Sequence, residues 1–291
     1  MPCCPRPEPW VVRAQPWLGT LVEVALTPAD ASEARFAAAF AAIGHVHRRM
    51  SAHDPASDLA RIARFAHRRP VRVDRETAAV LRLALRLARA TAGAFDVTVG
   101  PAKARRTAAA GMAALHLDRG RRVRTDTALA LDLGGIAKGH AVDRAVEALR
   151  RSGAAAGIVN AGGDLRAFGA ERWTPVRVRL PGASTIAAPL FELRDAASAT
   201  SSDAFRGRNR ALFDPLRRRH RPYPGSVTVV APSCAVADAL TKIVALRPGR
   251  APRLLARLRA DAFRIAPGAA ACFTSWQTPG RRLRLALDRQ P

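Results

Sequence analysis

Residues 131–164 read LDLGGIAKGHAVDRAVEALRRSGAAAGIVNAGGD. Asp132 ends an apolar run, the pair Gly134-Gly135 follows, and Lys138 stands at the start of a helical pattern. Glycines at a strand-to-helix turn let backbone N–H groups approach a phosphate closely. A lysine one turn on supplies a point charge for the same anion. A short strand, Gly157 to Asn160, then leads to a second glycine pair before an acid, Gly162-Gly163-Asp164. This is the chemistry of a nucleotide or dinucleotide phosphate site. A tight strand–turn–helix corner carrying a solvated lysine has the same local pattern.

A second constellation is CAVADALTKIVAL, Cys234 to Leu246. Asp238 lies among alanines and leucines, where a carboxylate is costly unless it is paired or coordinates a metal. Thr241 and Lys242 follow three and four residues later, on the same helix face. The set reads as an Asp/Thr oxygen site for Mg²⁺, which takes few protein ligands plus phosphate oxygens, or as an Asp238–Lys242 helical ion pair. His45, His47 and His53 invite a zinc reading, but His45 and His47 point apart on a helix and no carboxylate completes a ligand spacing. Phe95-Asp96 offers a ring and a polar edge, or a loop cap. Asp195 to Thr200 reads as the start of a structural loop.

The net charge of +25 is carried almost wholly by arginine, for the lysines are Lys103, Lys138 and Lys242. Arginines such as Arg82, Arg86 and Arg89 are scattered over helix faces, and the run Arg217 to Arg221 has no aromatic interleaving, so specific nucleic-acid binding is not expected. The four cysteines form no disulfide framework. No transmembrane segment is expected, because no apolar run reaches the roughly 18 residues a span needs. The N-terminal stretch lacks the apolar core of a secretory signal, so the expected location is cytoplasmic.

Several elements must position these residues. Alternation predicts a strand over Thr20 to Leu26, and helical spacing of Phe36, Phe40, Ile43 and Val46 predicts a helix over Asp30 to Met50. MSAHDPASDL reads as a loop, Arg75 to Ala92 as a helix stopped by Gly93, and Ala94 to Pro101 as an extended turn. Residues 102–130 read as irregular. The motif helix runs from Ile136 to Arg151 with Gly153 as its stop. Strands are expected within 173–195, near 200–215, over Ser226 to Ala231 and over Ala262 to Ile265, with helices over Cys234 to Leu246 and Arg253 to Arg259. Strands and helices without strict βαβ alternation point to an α+β fold of mixed sheets flanked by helices, in a single domain spanning 1–291.

In order along the chain, six blocks resemble the FAD:protein FMN transferases, the ApbE-type flavin transferases. They are LGT (Leu18 to Thr20), MSAHDPASDL (Met50 to Leu59), GAFDVTVGP (Gly93 to Pro101), LDLGGIAKGHAVD (Leu131 to Asp143), NAGGD (Asn160 to Asp164), and TSSDAF…FDP…SVTVVAPSCAVADALT (Thr200 to Thr241). The resemblance implies that the chain binds FAD and Mg²⁺, cleaves the FAD diphosphate, and joins FMN to a Thr or Ser of an acceptor flavoprotein with release of AMP. It implies that Leu18, His53, Ala94, Phe95 and Asp96 line the flavin or adenine pockets. Asp132, Lys138 and Leu212 would contact FAD, and Asn160, Gly162, Gly163 and Asp164 would belong to the same cofactor site. The Gly135 carbonyl, Asp238 and Thr241 would hold Mg²⁺, with Asp238 and Lys138 as the catalytic residues.

The chain departs from the family pattern at four positions. Leu18 stands for a usual Met, and His53 for a common aromatic residue. Lys242 stands where a Thr ligand is usual, and a charged lysine cannot ligate Mg²⁺; it could replace part of the metal's charge or contact a phosphate. Ala211 stands where the family's His-x-x-Asp-Pro segment has its candidate base, and a methyl group takes no proton. The alternative is therefore a non-catalytic FAD-binding, or FAD diphosphate-hydrolysing, homologue on the same fold. The family is often exported as a lipoprotein.

Overall fold

A computed structural model describes residues 10–100, 111–169, 174–179, 187–202, 211–223, 225–266, 273–276 and 283–285. Its centre is an eight-stranded sheet in the order β1-β2-β6-β7-β10-β13-β14-β15. The strands are β1 (Val11–Trp17), β2 (Thr20–Leu26), β6 (Gly157–Ala161), β7 (Asp164–Phe168), β10 (Ala197–Ser202), β13 (Ser226–Ala231), β14 (Asp261–Ile265) and β15 (Phe273–Trp276). The class is α+β, as expected. The pairing, expected to be mixed, is antiparallel in every ladder of this sheet; β1–β2 and β6–β7 are tight hairpins, while helices carry the chain from β2 to β6 and from β13 to β14.

Three helices pack on one face: α1 (Glu33–Met50), α4 (Ala137–Arg151) and α5 (Cys234–Leu246). Helix α1 is capped by Ser32, whose side chain accepts the Arg35 N–H, and buries Phe36, Phe40, Ile43 and Val46. Helix α4 buries Ala141, Val142, Ala145, Val146 and Leu149 against α1 and the sheet. Each fully buried Val, Leu, Ile or Phe side chain contributes about 1.5–3 kcal/mol, which is how the periodic apolar stripes fix the layer. Strand β13 alternates between two cores: Val227, Val229 and Ala231 face the helices, while Val230 joins Phe263, Ile265, Phe191 and Leu193 on the other side. That second core is roofed by a small sheet, β16-β9-β8, made of β8 (Thr174–Arg179), β9 (Ala187–Leu193) and β16 (Leu283–Leu285).

Helices α2 (Asp58–Phe65) and α3 (Arg75–Ala90) and a three-stranded sheet of β3 (Val71–Arg72), β4 (Leu115–Leu117) and β5 (Arg122–Thr125) extend the helical side. The segment read as an irregular stretch over 102–130 thus supplies two paired strands, and the MSAHDPASDL loop ends in the first turn of α2. The hairpin of β11 (Ala211–Asp214) and β12 (Arg219–Pro222) and helix α6 (Ala251–Leu258) complete the described strands and α-helices. Asp203 to Arg210, Lys103 and Pro101 lie outside the described residues.

Candidate functional site

The site is built where α4 crosses α5. Gly139, in the first turn of α4, lies so close to α5 that a Cβ there would stand 2.3 Å from the Cys234 carbonyl oxygen. Asp143, one turn later, accepts the Cys234 and Ala235 N–H groups at 2.9 and 3.0 Å and is held by Arg166 at 2.7 Å. Together with Ser233, which accepts the Val236 N–H, it satisfies the orphan donors at the start of α5. This junction fixes the register of the two helices and brings Lys138, Asp238 and Lys242 together.

Asp238 is fully buried, and its two oxygens are divided. Oδ2 accepts the Gly139 N–H at 3.3 Å, so the positive end of α4 points at it. Oδ1 accepts from Lys242 Nζ, which also donates to the Asp238 carbonyl at 3.0 Å. Lys138 Nζ donates to Asp164 Oδ2, at the start of β7. Burial pushes the Asp238 carboxyl up, but the ammonium groups of Lys138 and Lys242 overcome it and hold the group below its ordinary range. Burial works against the Lys138 charge, yet Asp238 and Asp164 raise its pKa well above the ordinary lysine value. Asp164 is pushed up by burial and by the Asp238 charge, with both lysines opposing. Two cations and two anions therefore form one nearly buried cluster.

Two cavities open onto this cluster. One, of about 550 Å³, is lined by Leu18, Met50, His53, Leu131 and Leu133 with Lys138. The other, of about 260 Å³, is lined by Phe95, Asp96, Leu212 and Phe213 with Gly135 and Lys242. Asp132 and Gly134 border both, so the two cavities adjoin at the glycine turn, with one lysine in each. Asp132 Oδ1 accepts the Gly134 N–H at 2.7 Å, which shapes that turn, and the Asp132 N–H donates to the Val97 carbonyl at 2.8 Å. Leu18 sits at φ 56° and Gly19 at φ 73° in the two-residue turn joining β1 to β2. A leucine in that conformation is strained by about 1–2 kcal/mol, and such strain gathers where a loop is shaped for a ligand.

The structure thus collects Leu18, His53, Ala94, Phe95, Asp96, Asp132, Lys138, Leu212 and Gly135 around the paired cavities. Asn160, Gly162 and Gly163 line neither cavity. Gly162 and Gly163 form the β6–β7 turn, where the Asn160 side chain accepts the Gly163 N–H at 3.0 Å and Asp164 follows. His47 and Val46 line the larger cavity without having been expected there, as does Phe213 in the smaller one. Gly139 and Asp143 carry the helix crossing and were also missed. A glycine inside a helix costs about 1 kcal/mol against alanine, and that unexplained cost was the available signal for Gly139.

The Asp238 and Thr241 oxygens expected to hold Mg²⁺ are engaged within the protein and do not fit a resident dication. Lys242 occupies Asp238 Oδ1, and its arm lies along Gly135, whose added Cβ would stand 3.5 Å from Lys242 Cε. The Thr241 hydroxyl is fully buried; it donates to the Asp238 carbonyl at 2.7 Å and shares a hydrogen bond with Ser201 at 2.8 Å. Among the described residues, no three His, Cys, Asp or Glu side chains converge as a metal site. His45 is instead 3.1 Å from Asp74.

Comparison with known proteins settles the kinship. The sequence model of the ApbE family matches residues 18–263. The chain belongs to the ApbE family. Among its ApbE relatives, the FAD:protein FMN transferase of Vibrio cholerae is 31% identical over 229 residues, covering 67% of this chain and 68% of that protein. The Haemophilus influenzae FAD:protein FMN transferase is 29% identical over 238 residues, covering 67% of each chain. The solved Vibrio cholerae flavin transferase ApbE superposes with a TM-score of 0.78 at 24% identity, covering 94% of this chain and 98% of that one. The apo flavinyl transferase ApbE of Pseudomonas stutzeri gives 0.79 at 22%, covering 92% and 95%. These superpositions establish the ApbE fold for this chain. No helix of the described residues is long and apolar enough to cross a membrane.

Proposed function

We propose that this ApbE-family transferase moves FMN from FAD to a Thr or Ser hydroxyl of an acceptor flavoprotein, releasing AMP. The observation that carries the reading is the pair of cavities adjoining at Asp132 and Gly134, with Lys138 in one and Lys242 in the other. FAD has the matching form: two ring systems joined by a diphosphate. The apolar walls take the rings, and the two ammonium groups take the diphosphate between them. The names of the Vibrio cholerae and Haemophilus influenzae relatives support the same activity.

In the transfer, the acceptor hydroxyl oxygen attacks the FMN phosphorus. The bond from that phosphorus to the bridging oxygen breaks, AMP departs with the electron pair, and the hydroxyl proton is lost to solvent. Lys138 and Lys242 stabilise charge on the non-bridging and leaving oxygens. Asp164 and Asp238 hold those ammonium groups in place. Asp132 and the Gly134-Gly135 backbone shape the passage between the two cavities. The dicationic role that Mg²⁺ plays in phosphoryl transfer is to neutralise these same oxygens.

Ala211 favours a second reading. It opens β11 beside Leu212 and Phe213, and it offers no base for the acceptor hydroxyl. A chain that binds FAD without transferring FMN, or that passes the phosphorus to water, would share the site. Product analysis separates the three. Incubation with FAD and an acceptor domain bearing a flavinylation motif should yield AMP and acceptor-bound FMN in equal amounts. AMP with free FMN would mean hydrolysis, and unchanged FAD retained on the protein would mean binding alone.

A further inference from the structure

Lys242 has two of its three N–H donors on Asp238, one on Oδ1 and one on the backbone carbonyl at 3.0 Å. Its side chain is 19% exposed, and that part belongs to the cavity wall beside Phe95 and Gly135. The carboxylate beneath it is fully buried, and its other oxygen is taken by the Gly139 N–H. Thr241, the neighbouring oxygen, is turned away toward Ser201. The Asp238 and Thr241 oxygens that could ligate a hard cation thus already have partners, and the position beside Asp238 and Gly135 is filled by an ammonium. Lys138 and Lys242 match Asp164 and Asp238 in number without a metal. A dication on Oδ1 would meet the Lys242 charge at contact distance, while an incoming diphosphate meets a cation already in place.

We propose that Lys242 is the site's built-in cation: held by Asp238, its ammonium takes the diphosphate of the dinucleotide, and binding there is independent of divalent metal. The proposal rests on the FAD reading of the cavities. It assigns the substrate's charge neutralisation to a side chain that is permanently present, and it makes Asp238 an anchor for that side chain instead of a metal ligand.

The test is a titration of FAD into the intact chain, followed by flavin fluorescence, in EDTA and in excess Mg²⁺. The expected affinities agree within about twofold, and Mg²⁺ alone leaves the melting temperature of the chain unmoved. Lys242→Thr should weaken FAD binding in EDTA by roughly tenfold or more, and Mg²⁺ should recover it and raise the melting temperature of that variant. The untouched chain decides the matter even where the variant does not fold. A wild-type affinity that rises about tenfold with Mg²⁺, or a melting temperature that rises with Mg²⁺ alone, overturns the proposal and leaves the flavin reading standing. Failure to bind FAD in both buffers overturns both.

Discussion

The carboxylates of Asp164 and Asp238, one opening strand β7 and the other inside helix α5, are both buried, and each holds a lysine of the site, Lys138 on Asp164 and Lys242 on Asp238. Neither could remain ionised at that depth alone, because desolvation of an unpaired carboxylate costs several kcal/mol. The lysines that keep them charged are the ones that face the two cavities.

Removing one lysine should therefore damage stability and binding together. Lys138→Met leaves Asp164 without its ammonium, and the expected cost is about 2 kcal/mol, discounted because Lys138 is partly exposed. FAD affinity should fall roughly tenfold or more. Adding Asp164→Leu should restore most of the stability in urea melts but none of the affinity. Recovery of affinity in the double variant would mean that Lys138 acts only through folding.

The helix crossing makes its own demand. Gly139→Ala drives a methyl into the Cys234 backbone, and backbone on both sides leaves little room to yield. A loss of about 2 kcal/mol or more is expected, with weaker FAD binding because α4 carries Lys138 and α5 carries Lys242. Gly249→Ala, where an added Cβ meets nothing within 4 Å, serves as the control and should stay within about 0.5 kcal/mol.

Acid should weaken the fold through Glu76. The His140 hydrogen bond is the main cause that lowers its pKa from 4.5 to about 2, with burial opposing and His140 and Arg144 charges assisting. A carboxylate lowered on folding stabilises above its unfolded pKa and loses that contribution as pH falls through the folded value. Stability from this pair should thus decline between pH 4.5 and about 2. Glu76→Gln should be less stable at neutral pH and should flatten the decline in thermal melts across that window. An unchanged slope would show that the pair carries none of it.

Ala211 is the position where chemistry can be added. Ala211→His should raise the rate of FMN transfer by roughly 10²-fold if a base is what the acceptor hydroxyl lacks. FAD affinity should change by less than about twofold, since the groups facing the diphosphate are untouched. Stopped assays of acceptor flavinylation measure the first and flavin fluorescence the second. A rate that does not move would place proton removal elsewhere.

The long amphipathic helices were legible in the sequence because their signals are local. Helix α5 runs Cys234–Leu246 as expected, and α4 begins at Ala137, one residue after the expected start. Strand β1 escaped notice because an edge strand with five exposed residues and Pro16 shows no alternation. Helix α2 escaped because eight residues are short, although Ser57-Asp58 was a cap signal. At the site, Lys138, Asp132 and Phe95 stood out by residue type and spacing. The pairing of Lys138 with Asp164 and of Thr241 with Ser201 could not, because each joins a helix to a strand from a distant part of the chain. Spacing put Thr241 on the face of Asp238, while tertiary packing gave its hydroxyl to β10.

The most direct measurement is in-gel flavin fluorescence after incubating the chain with FAD and an acceptor domain carrying a Thr flavinylation motif, once in Mg²⁺ and once in EDTA. The expected result is a fluorescent acceptor band in both lanes, absent when the acceptor Thr is replaced by Val. A chain that binds FAD yet leaves the acceptor dark in both lanes, with no AMP formed, would contradict the assignment of FMN transfer.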